Sequence, residues 1–303
     1  MNVRMQKRIA FGAIMIAVLA GLLWLDWFLT QDVYSVVLGR WLAGEQAAIG
    51  VRAIPLAGLV LLLLLPALRE LRGMAQAAGV QLLGASAYIG AAGLATMPFW
   101  WQFAPPMTQT WPVLLAPAGA VMLVFAQQMA SRSTADAFRK VACTLLAVAY
   151  LGLGGAVMLA IRMDFNLLVL VLFLAAVKFT DIGAYFTGSF LGRHKLIAWL
   201  SPGKTWEGLA GGLALAAGVA ALATLAMDVR LGADRLGLIP AAVFGAVVGL
   251  AGQFGDLAES LLKRATNVKD SGRLVPEFGG VLDILDSPLL GAPVAYVMLL
   301  MMR

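Results

Sequence analysis

Acidic residues recur as i, i+3 pairs within otherwise apolar sequence. Asp256 and Glu259 close one apolar run, Asp283 and Asp286 open another, and Asp181 follows Lys178 by three residues in a third. Residues three apart on a helix share a face. An ionisable side chain inside an apolar span is costly and marks a functional site by default. Four carboxylates brought to one depth repel one another unless cations stand between them. The donors are oxygen only, because Cys143 is the single cysteine and the single histidine, His194, lies outside the cluster. Such a set favours Mg2+, which keeps several waters and bridges carboxylates to substrate phosphates. Lys204, Lys263, Arg264, Lys269 and Arg273 accompany the acids in sequence and suit phosphate oxygens. Acid for a metal and base for phosphate together are what phosphoryl and nucleotidyl transfer require. The plainer readings are a structural ion pair for Lys178 with Asp181, and interface anchors for Arg193, Lys195 and Arg273.

These side chains need elements to carry them, and composition defines those elements. Of 303 residues, 61% are hydrophobic and 13% charged, against about 25% charged in a globular domain. This excludes a soluble enzyme, a disordered chain and a nucleic-acid-binding domain. A spanning helix takes about 20 mostly apolar residues. Nine such windows are read at 9–29, 47–67, 80–100, 112–130, 141–161, 165–188, 207–227, 238–260 and 281–301. The first is too long, and lacks a cleavage site, for a signal peptide, and is expected to be retained. The expected fold is an all-α polytopic membrane protein of about nine transmembrane helices.

Orientation follows from Lys and Arg. Of 22 such residues, 15 fall on one set of alternate loops, 6 on the other, and Lys178 within a span. Cytoplasmic loops carry the excess, which predicts a cytoplasmic N-terminus and a C-terminus outside. Residues 1–163 read as N-terminal transmembrane helices, a lipid-facing scaffold in which nothing suggests chemistry. Residues 164–303 read as a catalytic transmembrane region with cytoplasmic loops at 192–206 and 261–279. Small-residue spacings such as Gly208 to Gly212 allow close helix approach and a possible homodimer.

The loop Ser201-Pro202-Gly203-Lys204-Thr205-Trp206-Glu207-Gly208 contains Gly-Lys-Thr, as a P-loop does. The full P-loop spacing is absent because position 198 is Ala, and no preceding strand is expected. A helix N-terminus at Thr205 to Gly208, with Lys204 beside it, is the better phosphate-holding reading.

The C-terminal stretch resembles the signature of the phosphatidate cytidylyltransferases (CDP-diacylglycerol synthases). Ser260, Lys263-Arg264, Lys269-Asp270, Pro276, Gly279-Gly280, Asp283 and Asp286 stand at its spacing. Gly255-Asp256-Leu257, Asp181 with Ala184-Tyr185 and Gly188, and Ser201-Pro202 through Glu207-Gly208 extend the resemblance upstream. It covers about a third of the chain. Glu277-Phe278 replaces the usual Gly-His, and Ile284 the usual Arg, which removes an imidazole and a guanidinium.

The resemblance implies transfer of a cytidylyl group from CTP to phosphatidic acid within the membrane, giving CDP-diacylglycerol and pyrophosphate. It implies metal ligation by Asp256, Asp283 and Asp286, which join Lys263 and Arg264 as the catalytic set. Lys204 and Lys269 would neutralise the triphosphate alongside Lys263 and Arg264. Ser201, Thr205 and Glu207 would shape the nucleotide loop, with Asp181, Ser260 and Asp270 completing the substrate-binding residues. The lipid phosphate is already anionic near neutral pH, so a general base is not required. The active site is expected to face the cytoplasm from the inner membrane, with no nucleic-acid partner. The alternatives are a CTP-dependent transferase with another lipid acceptor, an inactive paralogue, and an ion-coupled transporter, for which charges near the bilayer midplane and broken helices are expected.

Overall fold

Apolar runs of this length satisfy their backbone polar groups internally only as helices when they lie in lipid. In the computed structural model that is the outcome for residues 3–30, 51–103, 111–232, 234–268, 270–272 and 279–303, the residues described here. Among them, seven helices are long and apolar enough to cross a membrane, and Leu114–Ala130 is a shorter apolar helix. The chain is an all-α integral membrane protein, with two small antiparallel hairpins as its only strands among the described residues.

Contacts divide the chain into two compact units. The first comprises Met1–Leu159 and Asp270–Leu282. It holds α1 (Val3–Leu29), α2 (Ile54–Ala77), α3 (Gly84–Trp101), α4 (Trp111–Ala130) and α5 (Ala137–Ala147). A π-helical turn, Val148–Leu153, then leads into α6 (Gly154–Asp164), which belongs to this unit up to Leu159. The segment expected at 80–100 coincides with α3. It is not among those seven helices, and its small residues are used in packing: Ala87, Ala91 and Ala95 are buried. A Cβ on Gly152 would lie 3.2 Å from the Ala91 backbone, so the π turn passes close against α3. Leu83, Val124 and Val141 form one apolar cluster, and Leu94, Ala120 and Val148 another. The segment expected at 47–67 begins outside the described residues.

The second unit comprises Ala160–Lys269 and Asp283–Arg303. The described residues of segment 270–282 belong to the first unit. The second unit contains α7 (Leu167–Leu191), β1 (Lys195–Ile197), β2 (Ser201–Thr205), α8 (Trp206–Ala226), β3 (Arg230–Leu231), β4 (Asp234–Arg235), α9 (Leu238–Ala265) and, from Asp283 onward, α10 (Leu282–Met301). Asn166 caps α7, its side chain accepting from the Val169 amide at 2.9 Å. Thr205 caps α8 through the Gly208 amide at 3.0 Å.

Glycine seams let α7, α8 and α9 approach closely. A Cβ on Gly212 would sit 2.6 Å from the Thr180 carbonyl oxygen, and one on Gly208 2.8 Å from that of Ala184. Further along the same buried row of α8, a Cβ on Gly245 of α9 would sit 2.5 Å from the Ala216 carbonyl oxygen. Lipid gives helices little hydrophobic reason to associate, so close backbone contact of this kind supplies the packing. Large apolar side chains such as Phe186, Phe190, Leu222 and Phe254 remain exposed, as lipid-facing surfaces do.

Candidate active site

The last three turns of α9 place Asp256, Glu259, Ser260 and Lys263 along one face, as their spacing predicts. The Lys263 ammonium lies 2.8 Å from Glu259 Oε2 and 2.7 Å from Asp283 Oδ1. Glu259 is fully buried and its Oε1 has no hydrogen-bond partner. A buried carboxylate without a cation is strongly unfavourable, so Lys263 is what permits Glu259 at this position. The crossing of α9 with α10 is close: a Cβ on Gly255 would meet the Asp286 carbonyl oxygen at 2.5 Å. That approach sets the backbone of Asp286 against Gly255, the residue before Asp256. Asp286 is buried, and its Oδ1 accepts from the Ser287 amide. Ser260 donates to Asp256 Oδ1 at 3.4 Å, a long bond.

A second cation is held beside this one. Lys204, at the end of β2, contacts Asp256 Oδ2 at 2.8 Å and donates to Gln253 Oε1 at 3.0 Å. Gln253 turns its other amide end to Asp181, donating from Nε2 to Oδ1 at 2.8 Å. Asp181 in turn lies 3.7 Å from the Lys178 ammonium, which donates to the Ile284 carbonyl at 3.2 Å. The two polar chains join α7, β2, α9 and α10. The Lys178–Asp181 pair read from sequence is therefore present, as one link of a network.

Loop 192–206 contains a hairpin, so a strand, β1, does precede Gly203-Lys204-Thr205, which corrects the expectation of none. Lys195 pairs with Thr205 and Ile197 with Ser201. It remains unlike a P-loop, because Gly203-Lys204-Thr205 lies within strand β2 and position 198 is Ala. Glu207, in the first turn of α8, reaches back to accept from the Arg193 amide at 3.1 Å and the His194 amide at 3.2 Å, and it pairs with the exposed His194 ring. Glu207 thus fixes the base of the hairpin. Arg264 Nε donates to the Leu200 carbonyl at 3.3 Å and ties the hairpin tip to the end of α9. Ser201 is half-buried in β2 and Thr205 is occupied as a helix cap.

Asp181, Lys204, Asp256, Ser260, Lys263, Asp283 and Asp286 are thus gathered, with Ser201, Thr205, Glu207 and Arg264 building the adjoining hairpin. Asp270 is exposed and belongs to the first unit. Lys269, Arg273, Pro276, Glu277 and Phe278 lie outside the described residues. Gln253 was not anticipated. An uncharged residue between Gly252 and Phe254 gives no sequence signal beyond being a polar side chain within an apolar span.

Among the described residues, no three His, Cys, Asp or Glu side chains converge as a ready-made metal centre. The donor set still suits a hard cation by its chemistry. Asp181, Asp256, Glu259, Asp283 and Asp286 outnumber the three lysines that contact the group, and one buried carboxylate oxygen, Glu259 Oε1, is without a partner.

Residues 35–302 match the model of the cytidylyltransferase family. A phosphatidate cytidylyltransferase of Staphylococcus haemolyticus is 39% identical over 165 residues, which are 54% of this chain and 61% of that protein. One of Helicobacter pylori strain J99 is 39% identical over 155 residues, 51% of this chain and 56% of the relative. One of Bacillus subtilis is 43% identical over 120 residues, 40% of this chain and 43% of the relative. The alignments thus span between 43% and 61% of these relatives' lengths.

Proposed function

The chain belongs to the cytidylyltransferase family, and from that premise we propose that it transfers the cytidylyl group of CTP to phosphatidic acid, releasing pyrophosphate. The observation that carries this reading is the pair of lysines held by acids: Lys263 by Glu259 and Asp283, and Lys204 by Asp256. Both ammonium groups are fixed in place before substrate arrives, so little reorganisation is needed when a triphosphate replaces part of their contacts.

In the proposed reaction a phosphate oxygen of phosphatidic acid attacks the α-phosphorus of CTP. The bond from that phosphorus to the oxygen bridging the β-phosphate breaks, and pyrophosphate leaves. The nucleophile is an anion already, so no proton has to be removed from it. Lys204 and Lys263 meet negative charge on the triphosphate and on the leaving pyrophosphate, while Asp181 and Gln253 keep Lys204 oriented. Arg264 and Glu207 hold the two ends of the hairpin that presents Lys204.

Asp256, Asp283 and Asp286 would hold Mg2+. When bound, that ion neutralises phosphate charge and polarises the α-phosphoryl group. We place the N-terminus on the cytoplasmic side and the active site at the cytoplasmic face of the inner membrane, because a water-soluble nucleotide and a lipid head group meet only at that boundary. The distribution of Lys and Arg supports this orientation.

The test is incubation of detergent-purified protein with phosphatidic acid, labelled CTP and Mg2+, followed by lipid extraction. Labelled CDP-diacylglycerol is the expected product. Folded protein that yields none transfers the reading to another lipid acceptor or to an inactive paralogue.

A further inference from the structure

Glu70 is an acid that nothing above uses. It lies in α2, in the part of the chain where the sequence suggests no chemistry, and is 7% exposed. Its carboxylate is filled by donors from more than 200 residues away in the chain. Oε1 accepts from the Val281 amide at 2.9 Å, and Oε2 accepts from the Leu282 amide at 2.8 Å and from the Ser271 hydroxyl at 3.1 Å. Val281 and Leu282 stand at the start of a helix, where amides have no intrahelical acceptor and the helix dipole favours an anion.

The glycines of this segment are explained by the same carboxylate. A Cβ on Gly272 would lie 2.7 Å from Glu70 Cδ, and one on Gly280 would lie at the same distance. Gly279 adopts φ 96°, a conformation side chains resist. Glu70 therefore clasps both described ends of segment 270–282, where Gly272 and Gly280 leave room for it. Val281 and Leu282 are the two residues immediately before Asp283 in the chain.

We propose that Glu70 is a positioning residue for the transfer reaction: it fixes the backbone that leads into Asp283 and so sets where that carboxylate is presented. This rests on the proposed function for its catalytic consequence but not for its structural one, so the test has two arms.

Glu70→Gln is nearly isosteric, but its new NH2 must face an amide N–H or a hydroxyl in place of an accepting oxygen. In the full-length protein in detergent, hydrogen exchange at Val281 and Leu282 should accelerate by about tenfold or more, with exchange in α8 unchanged. In the kinetic arm kcat should fall about tenfold to a hundredfold, as misplacement of a reacting group does. KM for CTP should stay within about threefold, since transition-state contacts are lost and not ground-state binding. Gly272→Ala pushes a methyl into the same carboxylate and should give the same signature. It replaces Glu70→Gln in both arms if that variant does not fold. Faster exchange with unchanged kcat would make Glu70 a purely structural clasp, and unchanged exchange would remove the clasp itself. Either result overturns the proposal. Wild-type protein with no transferase activity would overturn the proposed function and with it the catalytic role of Glu70, leaving exchange to decide the clasp alone.

Discussion

Lys263 bridges two helices: its ammonium contacts Glu259, four residues earlier on α9, and Asp283, twenty residues later at the head of α10. One cation thus serves a fully buried carboxylate and a partly accessible one. The two carboxylates are not equivalent, and the first predictions follow from that difference.

Removing Asp283 leaves Lys263 paired to Glu259, so the fold should tolerate the change. Asp283→Asn is expected to lower transfer by about a hundredfold to a thousandfold, the scale seen when an electrostatic contact to the transition state is lost. Its unfolding midpoint in detergent should stay close to that of the wild type. Asp256→Asn should behave alike, because Gln253 still holds Lys204.

Removing Lys263 strands Glu259 without its cation. Lys263→Ala should destabilise the protein by about 3 to 5 kcal/mol, read by thermal unfolding in micelles. Adding Glu259→Gln should recover most of that stability while activity remains absent. A double variant no more stable than Lys263→Ala would show that the ion pair is not what Lys263 supplies.

The glycine seam gives a prediction independent of chemistry. Gly212→Ala drives a methyl against the Thr180 carbonyl, and overpacking of this kind costs about 1 to 3 kcal/mol. Gly218→Ala, on the same helix but with no neighbour within 4 Å, is the control and should be neutral or slightly stabilising.

Glu207 fixes the hairpin base through two amides and His194. Glu207→Ala should loosen the presentation of Lys204, raising KM for CTP by about tenfold with kcat changed far less. A loss confined to kcat would place Glu207 in the chemical step instead.

Chelation separates metal from fold. Each of Glu259, Asp256 and Asp283 has a lysine partner within the protein. EDTA should therefore abolish transfer while leaving helicity by circular dichroism unchanged, and Mg2+ should restore activity. Unfolding on chelation would show that the ion is structural.

Much of this arrangement was legible because charge is scarce in this chain. Asp256, Asp283, Asp286 and Lys263 stand out against apolar sequence, and i, i+3 spacing settles which face they share. The pairing of Lys204 with Asp256 was not legible, because it depends on the direction in which a hairpin folds back over a helix end. The hairpin itself was missed: a five-residue strand containing Pro202 and Gly203 carries none of the β-branched alternation that announces a strand. Gln253 and Glu70 escaped for a related reason. Gln253 is a lone polar residue in an apolar run and Glu70 sits between Arg69 and Arg72 at the end of one, and the role of each exists only through partners distant in sequence.

The most direct test of the central claim is product formation from labelled CTP and phosphatidic acid by wild type and Asp283→Asn, purified alike and shown to be equally folded. Labelled CDP-diacylglycerol from the wild type and almost none from the variant is the predicted result. Comparable turnover by both proteins would contradict the assignment of the Lys263–Asp283 network as the active site.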